Sequence, residues 1–321
     1  MKKRVSLRDV AKHCGVSPMT VSYVVRNINC VKASTRQKVQ AAIRELGYEI
    51  DPMLRALAAY RSKSSNPTKY KSTLAFFDSE PSRFSHSIYE HCRREAREIG
   101  YDLTYFKQPQ THEEQAKFSK RLWAQGIRGI LFGPCQQEFD LEGFEFERFA
   151  MVGIGAFQHH PAVDTVCLDY FQGLYLAAQR SMEHGYRNIA LFLLARLEAR
   201  TGHRWLGAYK AFCEHWNRKP LVWIFDTVPA DKEVLDWVRK NRIDAVLTLS
   251  KTVPKHPRLT RLRQVLLNDW DVSPGEWHLS GSQELIAKES IQLLDNYLLH
   301  RKYGIPEHPK QISIQATFHT E

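Results

Sequence analysis

Long apolar runs and paired cysteines are both scarce in this 321-residue chain. No 18 consecutive apolar residues occur, and the basic start MKKRVSLRDVAKHCG leads into no hydrophobic segment. Neither a membrane span nor an export signal is therefore expected, and the protein is predicted to stay in the cytoplasm. The six cysteines, at 14, 30, 92, 135, 167 and 213, are scattered without a CxxC pair, which predicts reduced, buried thiols and argues against a zinc site. Enzyme signatures are missing too: there is no P-loop, no GxGxxG after a strand, no GxSxG elbow and no HExxH. The chain is read as a non-enzyme, with no catalytic residue, cofactor or metal ligand set expected.

Acidic residues are the minority, 35 against 46 Lys and Arg, and the imbalance is local. Residues 1–65 hold thirteen Lys or Arg and only four acids, which accounts for nine of the chain's eleven net positive charges. Within that stretch Ser6 precedes Leu7, Val10 and Ala11 and has Asp9 three residues on, a helix start at about Leu7. Gly15 ends this helix, and after Val16 a second begins with Ser17 as cap and Pro18 at its first position. Two short helices meeting across a glycine turn make a helix-turn-helix signature. The second helix, Pro18 to Arg26, would bury Val21, Val24 and Val25 and leave Pro18, Met19, Thr20, Ser22 and Tyr23 facing outward. A third helix is expected to open at Ser34, with Gln37 in the capping-box position and Val39, Ala42, Ile43 and Leu46 at helical spacing, and to end at Gly47. Three capped helices alone are a common structural module. Cationic charge confined to such a unit is what phosphate binding requires.

Beyond it, Asp51 and Pro52 open a short segment, MLRALAAY, too brief to be a stable helix alone, and residues 62–69, SKSSNPTK, read as a linker. From Thr73 short apolar runs alternate with amphipathic helices. TLAFF, DLTYF, GILFG and FAMVGI form a first series, and DTVCLD, IALFLL, LVWIFD and DAVLTL a second, which predicts parallel βαβ layers in two lobes. Gln283 to His300 is a long amphipathic helix, and QISIQATF is expected to close the chain as one strand. His159-His160, before Pro161, is read as an exposed loop, because adjacent side chains diverge on a regular element.

VSLRDVAKHCGVSPMTVSYVVRN followed by STRQKVQAAIRELGY resembles the lactose-repressor (LacI/GalR) family of bacterial transcription regulators. REAREIGYDL, VDTVCLDY, HGYRNIAL and RWLGAYKAF follow in the order of that family's core, which is similar to a periplasmic sugar-binding protein. The resemblance implies a multidomain α and α/β fold. Its parts would be a helix-turn-helix headpiece at 1–49, a hinge and linker at 50–69, and a core at 70–321 whose lobes are about 70–157 plus 282–312 and 158–281 plus 313–321. It also implies a homodimeric repressor on a pseudo-palindromic double-stranded DNA operator, controlled by a small, sugar-like effector.

Pro18, Met19 and Tyr23 match base-reading positions of that family, while Ser17, Thr20, Ser22 and Asn27 match phosphate-contacting or capping ones. Leu57 matches its minor-groove wedge, although from the residues alone it could be an ordinary buried leucine. For the effector, the candidates are Arg204 and Asp269 by family match, Trp270 as a stacking ring, and Asp78 and Phe84 beyond the first core strand. The chain departs from the family at Ser250-Lys251 and at Gly155-Ala156, so half of the usual ligand set is missing. Either the effector is unusual or the core serves dimerisation alone. A cytoplasmic sugar-binding protein is the remaining alternative.

Overall fold

The computed structural model describes residues 7–25, 31–46, 72–78, 81–135, 139–156, 159–249, 253, 262–269, 272–281 and 283–320. Its N-terminal unit is three helices, α1 (Leu7–Cys14), α2 (Pro18–Val25) and α3 (Ala33–Leu46). Gly15 takes φ +65°, and the Val16 and Gly15 amides return to the carbonyls of Ala11 and Lys12, which stops α1 where the glycine turn was predicted. Val10, Ala11, Cys14, Val21, Val24, Val39 and Ala42 fill the space between the helices. Helix α3 starts earlier than expected. The Arg36 amide already donates to Lys32 O at 3.0 Å, so Ser34 lies inside the first turn instead of capping it.

The core has two six-stranded sheets. The first contains β1 (Ser72–Asp78), β2 (Tyr101–Lys107), β3 (Gly129–Phe132), β5 (Ala150–Ile154), β7 (Thr165–Leu168) and β13 (Gln311–Ile314), all parallel, in the order β13-β7-β5-β3-β1-β2. Helices α4 (Arg83–Glu98) and α10 (Gln283–His300) pack together on one face, and α5 (His112–Ala124) lies on the other. The second sheet contains β8 (Ile189–Leu194), β9 (Val222–Phe225), β10 (Ala245–Thr248), β11 (Arg263–Leu266), β12 (Trp277–Ser280) and β14 (Thr317–His319), in the order β14-β12-β11-β10-β8-β9. Helices α6 (Tyr170–Glu183) and α8 (Arg204–His215) cover one face, and α9 (Asp231–Lys240) covers the other. Among the described residues no helix is long and apolar enough to cross a membrane.

The alternation of strand and helix is as the sequence predicts, but three assignments change. DTVCLD, read as opening the second lobe, is β7 of the first sheet, buried between β5 and β13. The lobes therefore exchange after Leu168, and again after Ile314, in place of the expected breaks at 157 and 312. QISIQATF is two strands, because the chain crosses between sheets at 315–316 and β14 pairs antiparallel with β12. The His159-His160 pair is not simply a loop: β6 (His159–His160) pairs in parallel with β4 (Phe139–Asp140).

The loop after β4 is fixed by a buried amide. Gln115 is fully buried; its Nε2 donates to Asp140 O at 2.8 Å and its Oε1 accepts from the Gly143 amide at 3.0 Å. A Cβ on Gly143 would fall 2.3 Å from the His112 carbonyl oxygen and 2.5 Å from its Cα, and backbone cannot move aside as a side-chain tip can. Gly143→Ala should thus destabilise the chain by about 1–3 kcal/mol, the cost typical of forced overpacking. Thermal denaturation of the variant beside the parent measures it.

Candidate nucleic-acid interface and inter-lobe crevice

Helix α2 is a short segment fixed at both its start and its buried face. Ser17 Oγ accepts from the Thr20 amide at 3.1 Å and lies 2.9 Å from Thr20 Oγ1, closing the first turn. Val21 and Val24 anchor the helix to the three-helix core. What remains outward is Ser17, Pro18 and Met19, all exposed, with Thr20 and Tyr23 half-buried. Met19 is 63% exposed, the most of any large apolar side chain among the described residues. Helices α1 and α3 are tied together behind it by His13 Nε2 to Glu45 Oε2 at 3.2 Å and Cys14 Sγ to Lys38 O at 3.8 Å. Lys12, Lys32 and Lys38 are exposed around this unit. The Ser22 side chain, Asn27, Leu57 and the whole 50–69 segment lie outside the described residues.

The second candidate region comprises residues at strand ends of the two sheets and at the contact between the lobes. Asp78, at the end of β1, is fully buried and accepts from Tyr105 Oη at 2.8 Å, which ties β1 to β2. Burial and that carboxylate together hold the Tyr105 hydroxyl far above its ordinary range. Phe84, in the first turn of α4, packs half-buried against the first lobe's core. Arg204 opens α8 and reaches the other lobe: its Nη1 donates to Gln311 Oε1, on β13, at 2.9 Å. Burial pushes the nearby Cys167 thiol up to about 11 against the pull of the Arg204 guanidinium. Asp269 is half-buried beyond the end of β11, while Trp270 and Ser250-Lys251 lie outside the described residues.

Sequence reasoning missed the groups that complete this region. After Leu194 the chain turns at once into α7 (Ala195–Arg200), and then into α8. Tyr170 stands edge-on to Trp205 at 5.2 Å between ring centroids, and its hydroxyl is hydrogen-bonded by the backbone of Ala156, beyond the end of β5. Burial pushes that hydroxyl up to about 12. Beside this contact Glu198 is 1% exposed; one carboxylate oxygen accepts from the Leu206 amide at 2.9 Å, and the other has no partner. Arg200 Nε and Trp205 Nε1 are likewise buried without a protein partner. A buried polar atom left unpaired is costly, so three within two adjoining helices point to groups that pair with something from outside. The available signal was ARLEAR directly after an apolar strand, charged residues at a strand end. A cavity of about 510 Å³, walled by Tyr209, Phe212, Trp216, Arg187, Arg218 and Lys219, lies instead where β8 begins, at the far end of its strand.

A family model, bacterial regulatory proteins of the lacI family, matches residues 6–50, the span that contains α1, α2 and α3. Over these residues the chain is similar to the LacI family. The N-terminal unit is a LacI-type helix-turn-helix domain, and the core has a periplasmic-binding-protein-like fold. The chain is 24% identical over 225 residues to the HTH-type transcriptional repressor PurR of Mannheimia succiniciproducens, an alignment of 69% of this chain. The chain spans 64% of that relative's length. Among solved structures it shares its fold with a transcriptional regulator CelR–cellobiose complex at 20% identity, 98% of both chains and TM-score 0.56. It does so too with a lac repressor dimer bound to operator and the anti-inducer ONPF, at 16% identity, 98% of both chains and TM-score 0.55.

Proposed function

We propose that the chain is a transcriptional repressor that binds a pseudo-palindromic operator as a homodimer, through α2 in the major groove, under the control of a small polar ligand in the inter-lobe crevice. The observation that carries this reading is the outward face of α2, with Pro18 and Met19 exposed on a helix whose other side is sealed into the headpiece. A major groove about 12 Å wide admits such a helix. Ser17 and Thr20 stand at its start for phosphate contact, Ser22 and Asn27 serve the same end, and Leu57 wedges the minor groove. Pro18 and Met19 offer no bidentate hydrogen bonds, so reading depends on apolar contact, on Tyr23 and on DNA shape.

Selection of bound duplexes from a random pool tests this. A two-fold symmetric consensus is the expected outcome, and a pool that stays random after several rounds contradicts it. On the selected site Tyr23→Ala should cost on the order of 1–3 kcal/mol and relax the preference at one symmetric pair of bases. A repeat selection with the variant reads that change directly.

For the effector, an unpaired carboxylate oxygen and two unpaired N–H groups, beside the Tyr170 and Trp205 rings, favour a polyhydroxylated molecule such as a sugar. Arg204, which opens the helix that carries Trp205, joins them, and Asp269 and Trp270 are further candidates. A second reading keeps the core for dimerisation only, and is favoured by Asp78 and Phe84 being committed to the first lobe's own packing. A thermal-shift screen of sugars on the full chain separates the two.

A further inference from the structure

We propose that His112, Asp140 and Glu142 form a binding site for a borderline divalent cation of the zinc class on the first lobe. His112 is distant in sequence from the other two and is brought to them by the packing of α5 against the turn after β4. His112 is the first residue of α5, Asp140 ends β4, and Glu142 follows in the next turn. One ligand atom each from His112, Asp140 and Glu142 lie within 4.8 Å of one another. His112 Nε2 and Asp140 Oδ2 are 3.1 Å apart. Two donors on a tetrahedral ion with bonds of about 2.0–2.1 Å stand roughly 3.3 Å apart, so this pair needs little adjustment to share one.

The frame behind the donors is rigid. Gln115 clamps both ends of the 140–143 turn, Gly143 packs against the His112 backbone, and the Leu141 amide donates to His160 O at 2.9 Å. The Glu142 amide donates to Asp140 Oδ1 at 2.8 Å, which leaves the other oxygen toward His112. Donors held by packing and hydrogen bonds lose little freedom when an ion binds. Glu113 and Glu114 in the first turn of α5 offset the positive end of that helix. All three clustered side chains are exposed, so an ion can enter without an opening motion.

The donor set decides the metal class. Imidazole with carboxylates suits zinc and its first-row neighbours, whereas magnesium and calcium prefer oxygen-only shells of six or more ligands. No such site was expected from the scattered cysteines, because its donors are a histidine and carboxylates whose proximity arises only from the tertiary fold. A bound ion would clip α5 to the β4–β6 ladder and raise the stability of the first lobe by mass action.

Zinc chloride titrated into the EDTA-stripped full chain, by calorimetry and by thermal melting, tests the proposal. The expected result is one zinc ion per chain in the tightest phase, a raised Tm, and no such response to magnesium. Fourteen histidines supply a background, so variants assign the site. His112→Ala and Glu142→Gln should each weaken the tight phase more than about tenfold, whereas His91→Ala, on the exposed face of α4, should leave it unchanged. Circular dichroism of each variant verifies folding, and Glu142→Gln carries the test should His112→Ala fail to fold. Parent-like zinc binding in either folded variant, or an equal loss in His91→Ala, overturns the proposal.

Discussion

Raising salt from about 50 to about 200 mM should lower the affinity of the full chain for its selected duplex on the order of a thousandfold. Each phosphate neutralised by a cation releases condensed counterions, so the slope of log affinity against log salt counts those contacts. Nine of the eleven net charges lie in residues 1–65, and the remainder of the chain is close to neutral. The slope should therefore belong to the headpiece. Replacing exposed Lys12, Lys32 or Lys38 singly by alanine should reduce it by about one wherever that lysine meets a phosphate. Met19→Ala should leave the slope intact and change only which sequence is preferred, because an apolar group releases no ions. Fluorescence anisotropy at four salt concentrations measures both. Binding that hardly changes with salt would assign the basic stretch to solubility alone.

Glu198→Gln should make the free protein more stable and less responsive to its effector. Glu198 is 1% exposed, and burial raises its carboxyl above the ordinary range, with the Leu206 amide and His203 only partly opposing. In the unfolded chain the group ionises near its ordinary value of about 4.3. Below that value it is protonated in both states and the fold keeps its full stability. As pH rises through the higher folded value, ionisation favours the unfolded chain and stability falls. Glutamine retains an oxygen for the Leu206 amide and removes the charge. The variant should thus melt higher near pH 7.5, by about 2–4 °C for each kcal/mol regained, and the gain should vanish near pH 4. If the unpaired oxygen binds effector, affinity should fall by about 10- to 100-fold, the usual worth of a hydrogen bond to a charged group. A stability gain with an unaltered ligand response would remove Glu198 from the effector site. Gain of function at one site against stability is common where a group is kept unsatisfied for a ligand.

Element type was legible wherever burial imposed a period. The parallel strands are buried on both faces and read as continuous apolar runs, and the glycine turn between α1 and α2 announces itself through Gly15, Ser17 and Pro18. Membership of a sheet was not legible. DTVCLD has the same character in either lobe, and only its pairing with β5 and β13 assigns it. The break within QISIQATF leaves no trace, because both halves are strand-like and only Ala316 and its neighbour change direction between them. Ser34 illustrates the weakness of a cap signal: an adequate cap loses when the preceding residue can extend the helix.

Site residues followed the same division. The outward face of α2 follows from which residues Val21 and Val24 leave behind, so Met19 could be found from periodicity. Asp78 is polar at a strand end, as a ligand residue would be, yet its partner Tyr105 comes from a neighbouring strand and could not be inferred. Glu198 and Trp205 required the converse knowledge, that their buried atoms lack partners.

A nuclease footprint of the full chain on its selected duplex tests the central claim most directly. The account predicts two protected half-sites related by a two-fold axis, with protection lost when Pro18, Met19 and Tyr23 are replaced together by alanine while the circular dichroism of the chain is retained. A single asymmetric footprint, or protection that survives the triple replacement, would contradict it.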